Sequence, residues 1–145
     1  IEEFTDIKTC YLNCNIQNTA RKCYFQIFKM LFGFSPQNNI GTEIIQEEIM
    51  EKLEEEAFIL VLDDLNYLPK ADTNKLINEL LRANEFYHSN MAIIIIVNNI
   101  SFKYSLEKNA QSVLQCNEIE FTEQLTNYVK CDKMTNEIIT NRTQH

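Results

Sequence analysis

Glycine is scarce in this chain: only Gly33 and Gly41 occur in 145 residues. Neither is followed by the Lys and Ser/Thr of a GxxxxGK(S/T) loop, so these residues hold no such cradle for phosphates. Basic residues are outnumbered, 13 Lys and Arg against 21 Asp and Glu, for a formal net charge of −8. That argues against a general nucleic-acid-binding surface, whose footprint would be basic, but not against a small local contact. Long apolar runs are also missing. The longest, Met91 to Val97, falls well short of the ~20 residues that cross a bilayer, and no signal peptide is visible. The five cysteines (Cys10, Cys14, Cys23, Cys116 and Cys131) form no CxxC pair and no zinc spacing. An odd number cannot all pair internally, so they read as reduced thiols of an intracellular compartment, with Cys10 and Cys14 packing on one strand face. There is no start Met. The sequence opens at Ile1, which suggests that it begins inside a longer protein.

Hydrophobic residues make up 45% of the chain, and its length suits one domain with a sizeable core. The central stretch is Phe58-Ile59-Leu60-Val61-Leu62-Asp63-Asp64. Strands covered on both faces read as continuous apolar runs. The shortness of this run and its bounding turn residues, Asn66 and Pro69, favour a strand over a buried helix. Two acids at the carboxyl end of a buried strand sit where open α/β sheets place ligands. Adjacent negative charges are costly unless a cation or hydrogen-bond donors offset them. The pattern is that of a Walker B strand, which reaches toward Mg²⁺ in nucleotide hydrolases. The plainer alternative is a strand that ends in a turn with its acids merely solvated.

Around that strand the periodicity predicts a first strand over Lys8 to Asn15 and a helix over Thr19 to Phe32, stopped by Gly33. A loop with Pro36 follows. A second helix, capped by Thr42, presents Ile44, Ile45, Ile49 and Leu53, and Glu54 to Glu56 form its solvated end. A third helix opens at Asp72 or Thr73 and turns Leu76, Ile77, Leu80, Leu81 and Phe86 inward. Met91 to Val97 is another buried strand, ending in Asn98-Asn99. A short helix is expected over Tyr104 to Leu114, a last strand over Glu118 to Phe121, and helix over Gln124 to Arg142. Strands alternating with helices imply right-handed crossovers, hence an α/β fold with a mainly parallel sheet and flanking helices. Asn98 should then end the strand beside Asp63, where an amide can hold a water against a γ-phosphate. Equally, Asn98 and Asn99 suit a turn. A response-regulator receiver also pairs acids around Mg²⁺. It needs a Ser/Thr after the next strand and a Lys after the one beyond. Asn98 and the Lys-free Asn117 to Phe121 stretch contradict it.

Taken together and in order, these blocks resemble the AAA+ domain of archaeal and eukaryotic replication initiators, the origin recognition complex large subunit and cell division control protein 6. YLNCNIQNT (Tyr11 to Thr19) resembles the family's strand with "Y-N-C", and FGFSPQNNIGTEII its "LG…P…G…e" connection. FILVLDDLNYL resembles "VLDEiDxL", and LINELLRANE (Leu76 to Glu85) resembles "LlyxLxRxNE". IIIIVNNISFKYSLEKNAQSVL resembles "igIsNdxxFxxxLdpRVxSsL", and IEF with the later EIITNR resembles "ivFxpY…eILxxR". The resemblance covers residues 7 to 142, and the archaeal version fits the loop lengths best.

The resemblance implies a partial AAA+, P-loop NTPase-like core over residues 1–121 and the start of a helical lid over 122–145. Asp63 would hold the Mg²⁺ shell through water. Asp64 stands where the family has the Glu that polarises the attacking water, and Asn98 at sensor 1, the polar residue facing the γ-phosphate. Asn109 falls at the arginine-finger position. Pro36 and Gly41 match the initiator-specific insertion that touches DNA. Arg82 is either a surface helix residue or, by the match, a subunit-facing group. The implied function is that of a DNA replication initiator ATPase, binding origin DNA and helping to load the replicative helicase beside other initiator subunits. ATP or ADP with Mg²⁺ would be bound in the intact parent protein and none by this chain alone. The location would be cytoplasmic and nucleoid-associated in an archaeon or nuclear in a eukaryote, with no membrane partner.

Several departures stand against full activity. The family's phosphate loop would lie upstream of Ile1, and its winged-helix domain beyond Arg142. Asp64 is one methylene shorter than Glu. Asn109 carries no charge, whereas an arginine finger contributes ~10³-fold or more in related hydrolases. No Lys or Arg lies between Gly33 and Thr42, which weakens phosphate contacts. The alternative is therefore a degenerate AAA+ protein-interaction module without ATPase activity. The apolar Ile93 to Val97 edge, if left unpaired, is also a template for the last strand or for a homodimer.

Overall fold

The computed structural model describes residues 7–82, 87–114 and 119. The expected last strand, the helix over 124–142, Phe86, Cys116 and Cys131 lie outside the described residues.

The order is β1 (Lys8–Asn13), α1 (Ala20–Phe32), α2 (Thr42–Leu53), β2 (Phe58–Asp63), α3 (Lys70–Leu81), β3 (Met91–Ile96) and α4 (Lys108–Leu114). The three strands are parallel in the order β1-β2-β3. Asn13 pairs with Asp63, and Asp63 with Ile96, so the carboxyl ends of all three strands are level. Helices α1 and α3 pack on each other, which places both crossovers on one face. That face is the core: Cys10 and Leu12 of β1, and Phe58, Leu60 and Leu62 of β2, are buried against Ile27, Leu31, Ile49, Leu76 and Ile77.

Local chemistry sets the helix boundaries. The Thr19 hydroxyl accepts from the Lys22 amide at 3.1 Å, capping α1 at its start. Gly33, with φ 84°, ends it in the left-handed conformation that a side chain resists. Helix α2 departs from the sequence reading. Its N-cap is Gly41, and the Thr42 hydroxyl instead accepts from Arg21 Nη1 at 2.9 Å. Ile44 is 48% exposed and Met50 takes the buried position, because the apolar stripe runs through 45, 49, 50 and 53. Glu56 is not merely solvated: it pairs with Lys8 and Lys52, each at 2.9 Å.

Helix α3 opens earlier than expected, at Lys70 after Pro69. Thr73 is an interior residue whose buried hydroxyl donates back to the Pro69 carbonyl at 3.0 Å. The Tyr104 to Leu114 helix is split by Leu106 and Glu107 into a 3-10 turn (Phe102–Ser105) and α4. β3 is not buried on both faces. Ile93 and Ile95 meet the core, whereas Ile94 and Ile96 on the other face are 51% and 46% exposed. β3 is the outer strand of the described sheet, and among the described residues no helix covers that second face.

Candidate functional site at the strand ends

The acidic end of β2 and the loop after β3 meet as the sequence implies. Asp63 closes β2, and its carbonyl accepts from the Cys14 amide at 2.9 Å, tying the turn after β1 to the strand end. That turn is held by the Asn13 side chain, which accepts from the Asn15 amide at 2.9 Å. Asp64 then adopts φ 57° and ψ 38°, the left-handed region that short polar side chains tolerate, and starts a 3-10 turn over Leu65–Tyr67. The chain thus leaves the strand conformation at the second acid.

Two side chains outside the sequence-derived site complete the arrangement. The Tyr11 hydroxyl donates to Asp63 Oδ2 across the β1–β2 pairing. Tyr11 lies two residues before Asn13, so strand alternation puts it on the same face as Asp63. The Asp63 carboxylate that it faces raises the phenol's pKa, by the hydrogen bond first. Asn66 Nδ2 donates to Asn98 Oδ1 at 3.0 Å, joining the loops that follow β2 and β3. Asn99 shapes its own turn instead, its side chain accepting from the Ser101 amide at 2.9 Å. Of the two asparagines, the turn reading therefore suits Asn99, while Asn98 is held toward the loop after Asp63. The sequence marks Asn66 only as a turn residue, not as a partner of Asn98. Tyr11 is signalled only once the strand register is known.

Asp63, Asp64 and Asn98 are thus brought to one end of the sheet, and the other candidates are not. Asn109 is exposed in α4. Gly41 is exposed, but Pro36 is buried, which leaves it no surface to present. Arg21 braces the segment between α1 and α2: Nη2 donates to the Asn38 and Ile40 carbonyls at 2.9 and 2.8 Å, and the guanidinium lies 4.6 Å from the Phe25 ring. Arg82 is half-buried beside a groove of about 390 Å³ between α2 and α3, lined also by Gln46, Met50, Glu79 and Tyr87. That groove belongs to the helical layer and not to the strand ends.

Among the described residues no group of three or more His, Cys, Asp or Glu is placed to hold a metal. Mg²⁺ does not need one: it takes one or two carboxylates, keeps several waters and completes its shell on substrate phosphates. Asp63, with Oδ2 engaged by Tyr11 and its other oxygen left to accept, fits that demand. The thiols do not. Cys10, Cys14 and Cys23 are free and buried. Burial pushes the Cys10 thiol up to about 11. Cys23 Sγ donates to the Gln17 carbonyl at 3.4 Å, and its interaction with Cys14 lowers the pKa of Cys14 and raises that of Cys23.

No protein-family model matches the chain. It is similar to ORC1-type DNA replication protein 2 of Methanothermobacter thermautotrophicus, 32% identical over 117 residues, covering 77% of this chain and 31% of the relative. The protein of the same name from Methanosarcina acetivorans is 36% identical over 115 residues, covering 76% and 31%. This chain therefore spans about a third of the length of these relatives. Among solved structures, it superposes on Cdc6p of Pyrobaculum aerophilum with a TM-score of 0.66 at 17% identity, over 79% of this chain and 31% of the other. For the Aeropyrum pernix ORC1 protein, solved in complex with DNA, the TM-score is 0.63 at 22% identity, over 74% and 28%. Over the residues matched, this chain belongs to the family of ORC1-type DNA replication proteins, and its described core has the AAA+ fold of the Cdc6/ORC proteins.

Proposed function

We propose that the chain forms the Walker B and sensor 1 half of the nucleotide site of a DNA replication initiator. In the polypeptide that contains it, Asp63 would anchor the water shell of Mg²⁺, Asp64 would orient the attacking water and Asn98 would face the γ-phosphate of ATP. A phosphate-binding loop outside these residues would supply the remaining contacts. The observation that supports this best is the level parallel pairing of β2 and β3, with Asn66 bonding Asn98 beside the Asp63-Asp64 corner. Ligands of open α/β sheets bind outside such strand ends. The initiator would work on origin DNA, with Gly41 on the exposed part of its insertion, and with other initiator subunits or the replicative helicase.

The second reading, an interaction module without turnover, draws on Asp64 and Asn109. One experiment separates the two. Steady-state ATP hydrolysis is measured in the polypeptide that the gene encodes, with Asp63→Asn and Asp64→Glu. Under the initiator reading, Asp63→Asn lowers turnover by at least ~100-fold, the scale of removing one group that stabilises transition-state charge. Asp64→Glu preserves or raises it, because the longer side chain restores the reach of the family's Glu. Turnover that is absent in the wild type and stays absent in Asp64→Glu makes the chain an interaction module.

A further inference from the structure

We propose that Tyr11 is a positioning residue for Asp63: its hydroxyl holds one carboxylate oxygen so that the other is presented to a divalent cation. The proposal rests on the reading of Asp63 as the metal-side acid and adds a residue to it. Tyr11 and Asp63 lie on adjacent parallel strands and on the same face of the sheet, with the phenol donating to Oδ2. The ring is 60% exposed, so the core does not require this tyrosine. An Asp at a strand end is free to turn about two side-chain bonds. A donor fixed by the neighbouring strand removes that freedom and sets which oxygen faces outward. One phenol has one hydrogen to give, whereas a carboxylate offers about four lone-pair sites, so the bond leaves room for a metal-bound water. In the loops beyond the strand ends, Asn66 likewise donates to Asn98 at 3.0 Å. The acid and the amide at the strand ends thus each have one hydrogen-bond donor from a neighbouring segment.

Outer partners of ligating carboxylates orient them, and losing such a partner lowers metal affinity by roughly 10–100-fold. The test uses Mn²⁺ as the probe on the polypeptide that the gene encodes, read by paramagnetic broadening of the backbone amide signals near Asp63 and Asn98. Three proteins are compared: wild type, Tyr11→Phe and Asp63→Asn. The expected result is broadening that saturates in the wild type and is lost in Asp63→Asn. In Tyr11→Phe its Mn²⁺ midpoint rises about tenfold or more, with an unchanged unfolding midpoint. Side-chain couplings of Asp63, measured without metal, should report one rotamer in the wild type and averaging in Tyr11→Phe. Broadening that is equal in wild type and Tyr11→Phe overturns the positioning role and leaves the metal reading standing. Tighter binding in Tyr11→Phe also overturns it and makes the phenol a competitor of the cation. If the wild type shows no broadening at these amides, the metal reading fails and the proposal falls with it. Rotamer couplings that do not change on Tyr11→Phe overturn the proposal by themselves.

Discussion

Tyr24 shows how much one hydroxyl does in the helical layer. Its ring is fully buried, and its hydroxyl donates to Glu79 Oε1 at 2.7 Å while accepting from Gln46 Nε2 at 2.9 Å. Gln46 also donates to Glu79, so α1, α2 and α3 are joined at one point. Burial, and then the neighbouring Glu79 carboxylate, pushes the phenol's pKa well above its ordinary range. Tyr24→Phe keeps the ring and removes the bond, leaving a half-buried carboxylate short of a donor. The expected loss is about 1–3 kcal/mol, the range for leaving a buried polar group without its partner. Urea unfolding of the two proteins measures it, and an unchanged midpoint would show that Gln46 alone satisfies Glu79. Residues of this kind escape a sequence reading because their partners are distant: Tyr24 and Glu79 are 55 positions apart, and Asn66 and Asn98 are 32 apart. Asp63, Asp64 and Asn98 are legible because each follows directly from an apolar run that announces its strand. Tyr11 is not, since strand alternation gives its face but only the β1–β2 register gives its partner.

At the scale of elements, the order and the type of each segment can be read from periodicity, and the errors cluster at ends. Thr42 and Thr73 both look like caps by residue type. Arg21 claims the first, and the second sits one turn inside a helix that Pro69 has already opened. β3 reads as buried on both faces because its run of isoleucines carries no alternation to mark an open side. The ends of elements are also where charges pair. The Lys8 ammonium reaches the Leu31 carbonyl at the end of α1 at 2.7 Å and Glu56 at 2.9 Å, so one lysine ties β1 to the ends of two helices. Lys52 and Lys8 hold the Glu56 carboxyl below its ordinary range, Lys52 first. A depressed carboxyl stabilises the fold at pH values above its unfolded pKa, and that contribution disappears as pH falls through the folded one. Stability should therefore drop on acidification below about pH 4.5, by less than ~1 kcal/mol for so exposed a pair, and Glu56→Gln should remove this part of the dependence. Thermal melts across pH 3 to 6, roughly the carboxylate range, decide it. Equal slopes in the two proteins would show that Glu56 contributes nothing.

At the scale of the whole molecule, the question is what this chain does with DNA when it acts alone. The Aeropyrum pernix neighbour was solved in complex with DNA, and the part matched here is 28% of that chain. Non-specific affinity comes chiefly from cations that neutralise phosphates. Here the formal net charge is −8, and the insertion from Gly33 to Thr42 contains no Lys or Arg. The cation that braces that insertion, Arg21, is engaged by two of its carbonyls and the Thr42 hydroxyl. Lys8 and Lys52 are engaged with Glu56. Gly41 is exposed but brings no positive charge, and the Glu43 carboxylate stands beside it. The 145-residue chain should therefore give no shift of duplex DNA in a mobility assay at about 50 mM salt, the condition that most favours phosphate contacts. A complex that forms there and dissolves as salt is raised would overturn this and show that cations elsewhere on the chain neutralise phosphates. Arg21→Ala then distinguishes bracing from contact. If the insertion binds only while braced, the complex is lost together with local order around Ile40, and its salt dependence stays the same up to that point. If Arg21 itself meets the phosphate, the slope of log affinity against log salt falls by about one ion instead.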